Sequence, residues 1–278
     1  MGKLSERIYR TEAVVLRRTD LGEADRILTL YTPTYGKVRA VAKGVRKPAS
    51  KLGGHLDLFT RSKLLLARGR NLDVVTGAET LDAYRGLRSE GLESTAPGDA
   101  GGGDDASDAL ERIGVAYYLA ELLDRFTEEG MESRPVWDLL VAALRALSDG
   151  VTPAVVARHY ELRLLGYLGY RPQLEECAGC GEPLKPEENH YSLEAGGVLC
   201  PECRNHDPLV EPLSVNALKL LRLLAREDPA TVARLRFGPQ LADEVEGVLR
   251  RSIRHIGERE LESPAVLRSL RHDRALAR

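Results

Sequence analysis

Two hydrophobic periods divide the chain. Between residues 8 and 82 the apolar positions come in short clusters with the spacing of strands: EAVVLRR (12–18), DRILTLYT (25–32), GKVRAVAKG (36–44), DLFTRSKLLLARG (57–69) and LDVVTGAE (72–79). Gly22, Pro33, Gly36, Gly53, Gly54, Gly69 and Gly77 punctuate them, as turns require. In 36–44, Val38, Ala40 and Ala42 fall on one face and Lys37, Arg39, Val41 and Lys43 on the other. Five short strands in this length predict a small closed barrel, and periodicity alone fits an OB type or an SH3-like type.

The period then changes to that of helices. Val115, Leu119, Leu122 and Phe126 form a stripe within 109–129. A second helix starts at Pro135 and aligns Val136, Leu140, Ala143 and Leu147. Thr152-Pro153 opens a third, running to about Tyr167. Ser214 caps a fourth, a longer one spans about Pro239–Ile256, and Ser263-Pro264 starts a short last one before the basic tail 268–278. Between the two regions, GLESTAPGDAGGGDDASD (91–108) has too little apolar surface to offset ordering entropy and is expected to be a mobile, dispensable insertion. The division that follows is a barrel at 1–82, a connector at 83–108, helices at 109–172, a cysteine module at 173–210 and further helices at 211–278. The fold class is α+β and multidomain: a barrel, then an all-helical body with the cysteine module embedded in it.

Charge sharpens this division. The chain has a net charge of −2, yet residues 1–80 hold 16 Lys/Arg against 8 Asp/Glu. No Asp or Glu occurs from Arg26 to His55. A basic barrel on an acidic body points to a localised anionic partner. Lys37, Arg39, Lys43, Arg46, Lys47 and Lys51 are the candidate DNA-binding residues of that interval. If all six met phosphates of a single strand, the log–log salt slope would be about −4. Aromatics are few, with Tyr31 and Tyr35 as stacking candidates and Phe59 expected in the core. Backbone contacts should therefore dominate over base stacking. No apolar stretch reaches membrane-spanning length and the first residues lack a signal core, so a cytoplasmic protein is expected.

All four cysteines lie in one segment, as Cys177-x2-Cys180 and Cys200-x2-Cys203. Each pair can place two thiolates about 3.5–4 Å apart, at two corners of a zinc tetrahedron. Gly181 can supply a positive-φ turn that aims backbone N–H groups at sulfur. Two disulfides are the competing reading and need an oxidising compartment, and four free thiols are the other. Four sulfurs close the coordination sphere, so one structural Zn²⁺ is expected. His190 and His206 are expected at the surface, outside the ligand set. Leu199 stands where a zinc deaminase needs proline. The sequence has no P-loop, nucleophile elbow or His-Glu-x-x-His. Asp20, Glu23 and Asp25 could hold Mg²⁺ in a nuclease, but a solvated turn is the simpler account. His159, on an apolar helix, is expected to be a satisfied core residue.

The run from Tyr9 to Arg88, above all AKGVRKPASKLGGHLDLF (42–59), resembles the amino-terminal domain of the RecO family. YYLAELLDRFTEEGMESRPVWDLLVAAL (117–144), YLGYRPQLEECAGCGE (167–182) and RHIGERELESPAVLRSL (254–270) resemble later parts of that family in the same order. The resemblance implies an OB-fold barrel, a helical body and a four-cysteine zinc module. It implies a non-catalytic mediator of recombinational DNA repair. Such a protein binds single- and double-stranded DNA and anneals complementary strands. It acts with RecR and with the acidic tail of single-stranded DNA-binding protein, and so helps load RecA. It assigns Cys177, Cys180, Cys200 and Cys203 to zinc and the basic residues of 37–51 to DNA. A zinc-ribbon scaffold without DNA activity is the alternative from another class.

Overall fold

The structure is a computed structural model that describes residues 7–87, 103–206 and 210–257. It forms two compact units that meet in the sequence between Ser148 and Asp149. Most of the 91–108 stretch and the tail 268–278 lie outside the described residues.

The first unit opens with five strands: β1 (Ile8–Leu21), β2 (Asp25–Thr32), β3 (Gly36–Ala42), β4 (Arg61–Ala67) and β5 (Asp73–Asp82). They close into a barrel in the order β1-β2-β3-β5-β4. Three antiparallel hairpins and the antiparallel closure of β1 on β4 supply four of the junctions, and a short parallel pairing of Ala40–Val41 with Asp73–Val74 supplies the fifth. This is a closed OB-like barrel, which resolves the choice left open by periodicity. β1 is twice the length expected because it serves two neighbours. Ile8–Val14 pairs with β4 and Val14–Leu21 with β2. A bulge between Val15 and Arg17 turns the strand from one to the other, and Val14, Val15 and Leu16 are consequently all buried.

The core of the barrel holds Ala13, Val15, Leu28, Leu30, Ala40, Ala42, Leu64 and Leu66, with Val38 packed against it. The apolar face read from the β3 sequence is thus the inner face. β4 begins four residues later than expected. Phe59 leaves the strand with φ of +61° while its N–H donates to the Val15 carbonyl at 2.8 Å. Gly36 ends the β2–β3 turn at φ of +60°, and a Cβ there would lie 2.1 Å from the Met131 carbonyl oxygen. Only glycine fits that approach.

Among the described residues two α-helices complete the unit, α1 (Gly103–Phe126) and α2 (Arg134–Ser148). α1 starts at Gly103, inside the stretch expected to lack structure. The expected stripe of α2, Val136, Leu140, Ala143 and Leu147, is buried throughout. Val115, Leu119, Leu122 and Leu123 of α1 are also buried.

The second unit contains α3 (Pro153–Tyr167), α4 (Val215–Arg226), α5 (Pro229–Val232) and α6 (Pro239–Gly257). Ser214 caps α4 as expected by accepting from the Ala217 N–H at 3.1 Å. It also binds Glu244 of α6 through its own N–H at 2.7 Å and its hydroxyl at 2.8 Å. α3 is buried on almost every side. His159 within it is a satisfied core residue, with Nδ1–H donating to the Leu224 carbonyl at 2.9 Å. Burial holds the imidazole below its ordinary pKa and keeps it neutral. Among the described residues no helix is long and apolar enough to cross a membrane.

A three-stranded sheet, missed in the sequence, sits between α3 and α4 along the chain. It consists of β6 (Asn189–Ser192), β7 (Gly197–Leu199) and β8 (Glu211–Leu213), in the order β7-β6-β8. Strands of three or four residues are too short to show a period. The sheet also corrects the expectation for His190. As the middle strand, β6 pairs His190 with Leu199 on one side and Pro212 on the other, leaving it only 8% exposed rather than on the surface.

Candidate metal centre and nucleic-acid interface

Two tight turns build the cysteine cluster. The 177–182 turn is closed by Cys177 N–H to the Glu182 carbonyl and Gly181 N–H to the Cys177 carbonyl, both at 2.8 Å. Gly181 has φ of +77°, the conformation its sequence position suggested. Its amide serves the turn itself; the N–H groups aimed at sulfur belong to other residues. Gly179 N–H points at the Cys177 Sγ at 3.4 Å and Cys200 N–H at 3.3 Å. Ala178 N–H to the Val198 carbonyl, at 2.8 Å, ties this turn to the end of β7 and so to the second pair. Gly179 lies between the pairs, where a Cβ would sit 3.2 Å from the Cys203 Sγ and 3.3 Å from Leu199.

All four Sγ atoms lie within 4.8 Å of one another, and all four cysteines are free thiols. A tetrahedral site with Zn–S near 2.3 Å has edges of about 3.8 Å, so a small contraction of this cluster accommodates the ion. Two separate disulfides would not require all four sulfurs to converge. The acidity of the thiols points the same way. Burial pushes Cys177 up, but the N–H groups of Cys200, Cys180 and Gly179 outweigh it and bring it down to about 6. Thiol contacts, that with Cys200 first, and burial push Cys203 up to about 12. One thiolate is thus stabilised by the backbone, and Cys203, pushed the other way, needs a cation before it too can ionise. Cys177 and Cys203 are buried, Cys200 is half-buried and Cys180 is exposed.

Among the described residues this is the only group of three or more His, Cys, Asp or Glu placed to hold a metal ion. Asp20, Glu23 and Asp25 are near in sequence but are occupied differently. Asp20 pairs with Arg26 at 2.9 Å and Arg46 at 3.4 Å, and the bond from Arg26 holds its carboxyl below the usual range. Asp25 accepts from the Gly44 N–H at 2.7 Å, and Glu23 is exposed.

The six candidate DNA-binding cations separate into two groups. Lys37 is structural: its Nζ reaches the Asp124 carbonyl at 2.5 Å and carboxylate at 3.0 Å, clamping β3 to α1. Arg39 lies 3.8 Å from Glu129 and is half exposed. Arg46 is held by Asp20 and by the Gly22 carbonyl at 3.1 Å. Lys43, Lys47 and Lys51 are exposed, and none has a partner among the described residues. All three project from the β3–β4 connection. Of the aromatics, Tyr31 is fully buried and unable to stack on a base, Phe59 is core as expected, and Tyr35 is half-buried.

Fold and site together define an OB-like barrel protein with a basic loop and, in a second unit, a four-thiol metal site. Family models described as Recombination protein O N terminal and Recombination protein O C terminal match residues 6–84 and 107–265. The chain is 44% identical to the DNA repair protein RecO of Roseiflexus sp. (strain RS-1) over 268 residues, covering 96% of this chain and 88% of that one. It is 36% identical to the DNA repair protein RecO of Dehalococcoides mccartyi (strain BAV1), covering 95% and 96%. The corresponding figures for the protein of that name from Heliobacterium modesticaldum are 37%, 95% and 90%. The chain belongs to the RecO family of DNA repair proteins.

Proposed function

We propose that this chain is a non-catalytic mediator of recombinational repair that binds single- and double-stranded DNA and anneals complementary strands. The observation that carries the reading is the trio Lys43, Lys47 and Lys51, exposed and without carboxylate partners among the described residues, on a connection of an OB-like barrel. Such cations neutralise phosphates and release counterions, which gives affinity without sequence preference. Binding of this kind suits annealing, because the protein must hold two strands and then release their duplex. The partners are RecR and the acidic tail of single-stranded DNA-binding protein, and the outcome is RecA loaded at gaps near the nucleoid.

A cavity of about 160 Å³ in the second unit supports the tail as a partner. Leu162, Pro172, Leu174 and Ala225 give it apolar walls, and Arg163 and Arg171 supply cations for carboxylates. Cys177, Cys180, Cys200 and Cys203 hold one Zn²⁺. When bound, that ion supplies a covalent-strength crosslink between the 177–182 turn and the end of β7. The chain's own contribution is the backbone N–H pair that fixes Cys177 as the first thiolate.

Direct binding of single- and double-stranded oligonucleotides tests the proposal against a scaffold without DNA activity. Both should bind, at any sequence, with affinity falling steeply as salt rises. Binding to neither would leave the scaffold reading.

A further inference from the structure

At the end of the barrel where β1 begins and β4 ends, three separate segments assemble a cationic aromatic ladder. The rings of Tyr9 and Tyr35 lie 4.6 Å apart, tilted by 57°. The Arg68 guanidinium sits over both, 4.7 Å from the Tyr9 centroid and 5.6 Å from that of Tyr35. Tyr9 is buried, Tyr35 is half-buried and Arg68 is exposed, so the planar guanidinium is the outermost rung. Tyr9 is itself fixed, its hydroxyl donating to Asp73. Asp73 is further occupied by the Gly69 N–H at 3.1 Å. The Arg68 N–H donates to the Arg7 carbonyl at 3.0 Å, which places two cations side by side across the β1–β4 ladder. Arg70 follows in the same loop. Arg7 and Arg70 are exposed, and their side chains have no partner among the described residues.

We infer that this end of the barrel is a stacking site for an unpaired base of single-stranded nucleic acid, with Arg68 as the platform and Arg7 and Arg70 as the flanking phosphate contacts. The inference rests on the DNA-binding reading above and adds to it a second set of residues, distinct from Lys43, Lys47 and Lys51. Three features carry it. A guanidinium held against aromatic rings has lost the freedom that an exposed arginine ordinarily retains, so little entropy remains to be lost when a base stacks on it. A planar cation recognises a π-face as well as a charge, which sets this site apart from a patch of lysines. The base must be unpaired, because the faces of duplex bases are already stacked on each other. An acidic peptide without an aromatic side chain could satisfy the charges but has no ring to stack. The sequence reading of backbone contact without stacking counted aromatic residues singly. It missed a platform whose exposed member is an arginine.

The test uses the full chain and a short single-stranded oligonucleotide carrying a fluorescent adenine analogue. Arg68→Lys keeps the charge and removes the plane. It should weaken single-strand binding by about fivefold to a hundredfold, the range for loss of one stacked base, and abolish the stacking change in emission. Its salt slope and duplex affinity should stay those of the parent protein. Tyr35→Phe should match the parent, whereas Tyr35→Leu, which keeps the bulk but not the ring, should behave like Arg68→Lys. Arg7→Gln and Arg70→Gln should each flatten the salt slope by about 0.7 while the emission change persists. Unaltered affinity and emission in Arg68→Lys, or an equal loss on duplex, would overturn the stacking site. Failure of the parent protein to bind any oligonucleotide would instead overturn the DNA-binding reading on which it rests.

Discussion

Chelating the metal, or replacing Cys177 with Ser, is expected to destabilise the second unit by about 3–5 kcal/mol, lowering its melting temperature by about 10–20 °C. The size of the effect follows from where the cysteine segment sits. Cys177, Cys203, Val198 and Leu199 belong to the same apolar core as Leu218 and Leu221 of α4 and Val245 and Leu249 of α6. Loosening the turns therefore exposes core and does not merely free a surface knuckle. Cys177 carries a second load, because its sulfur accepts N–H groups from Gly179 and Cys200. Cys180 is exposed, with its sulfur 4.0 Å from that of Cys200 at the outer edge of the cluster. In chelated protein, Cys177→Ser should remain costly and Cys180→Ser should add little. Metal analysis of chelator-free protein should give about one zinc per chain, and calorimetry of the two variants checks the ranking. Two disulfides and no metal would end this account of the module.

Replacing Lys43, Lys47 and Lys51 with Ala is expected to flatten the salt dependence of single-strand binding by about 2 log units per log unit, from roughly 0.7 per phosphate contact. Affinity should fall alike for all sequences. Folding stability should hardly change, since exposed unpaired charges contribute little to it. Lys37→Ala should do the opposite: lose the clamp to Asp124, and so stability, with little effect on the slope. Parallel salt titrations and thermal melts of the two variants separate these outcomes. An unchanged slope in the triple variant would move the phosphate contacts off this loop.

The local features of this chain were legible because neighbouring residues determine them. The cysteine spacing dictated two turns, Ser214 and Pro153 marked helix starts, and the alternation of Val38, Ala40 and Ala42 named the inner face of β3. Features that depend on distant residues were not legible. The acid-free interval suggested six free cations, but Asp124 arrives from α1, and Glu129 from the segment just after it, both far along the chain, to meet Lys37 and Arg39. Asp20 reaches Arg46 because the connection after β3 folds against the β1–β2 turn, where the Arg46 N–H donates to the Ala24 carbonyl at 3.0 Å. His190 reads as polar and exposed until β7 and β8 flank it. The Tyr9, Tyr35 and Arg68 ladder draws on three segments that no spacing rule connects.

Annealing of complementary oligonucleotides, each coated with single-stranded DNA-binding protein, tests the central claim most directly. The chain must contact DNA, tolerate the coating protein and bring two strands together in the same experiment. We predict duplex formation much faster than without the chain, slowed by added salt and by loss of Lys43, Lys47 and Lys51. Removing the acidic tail of the coating protein should also reduce the acceleration. An annealing rate identical with and without the chain, under salt conditions in which it binds the oligonucleotides, would contradict the mediator assignment.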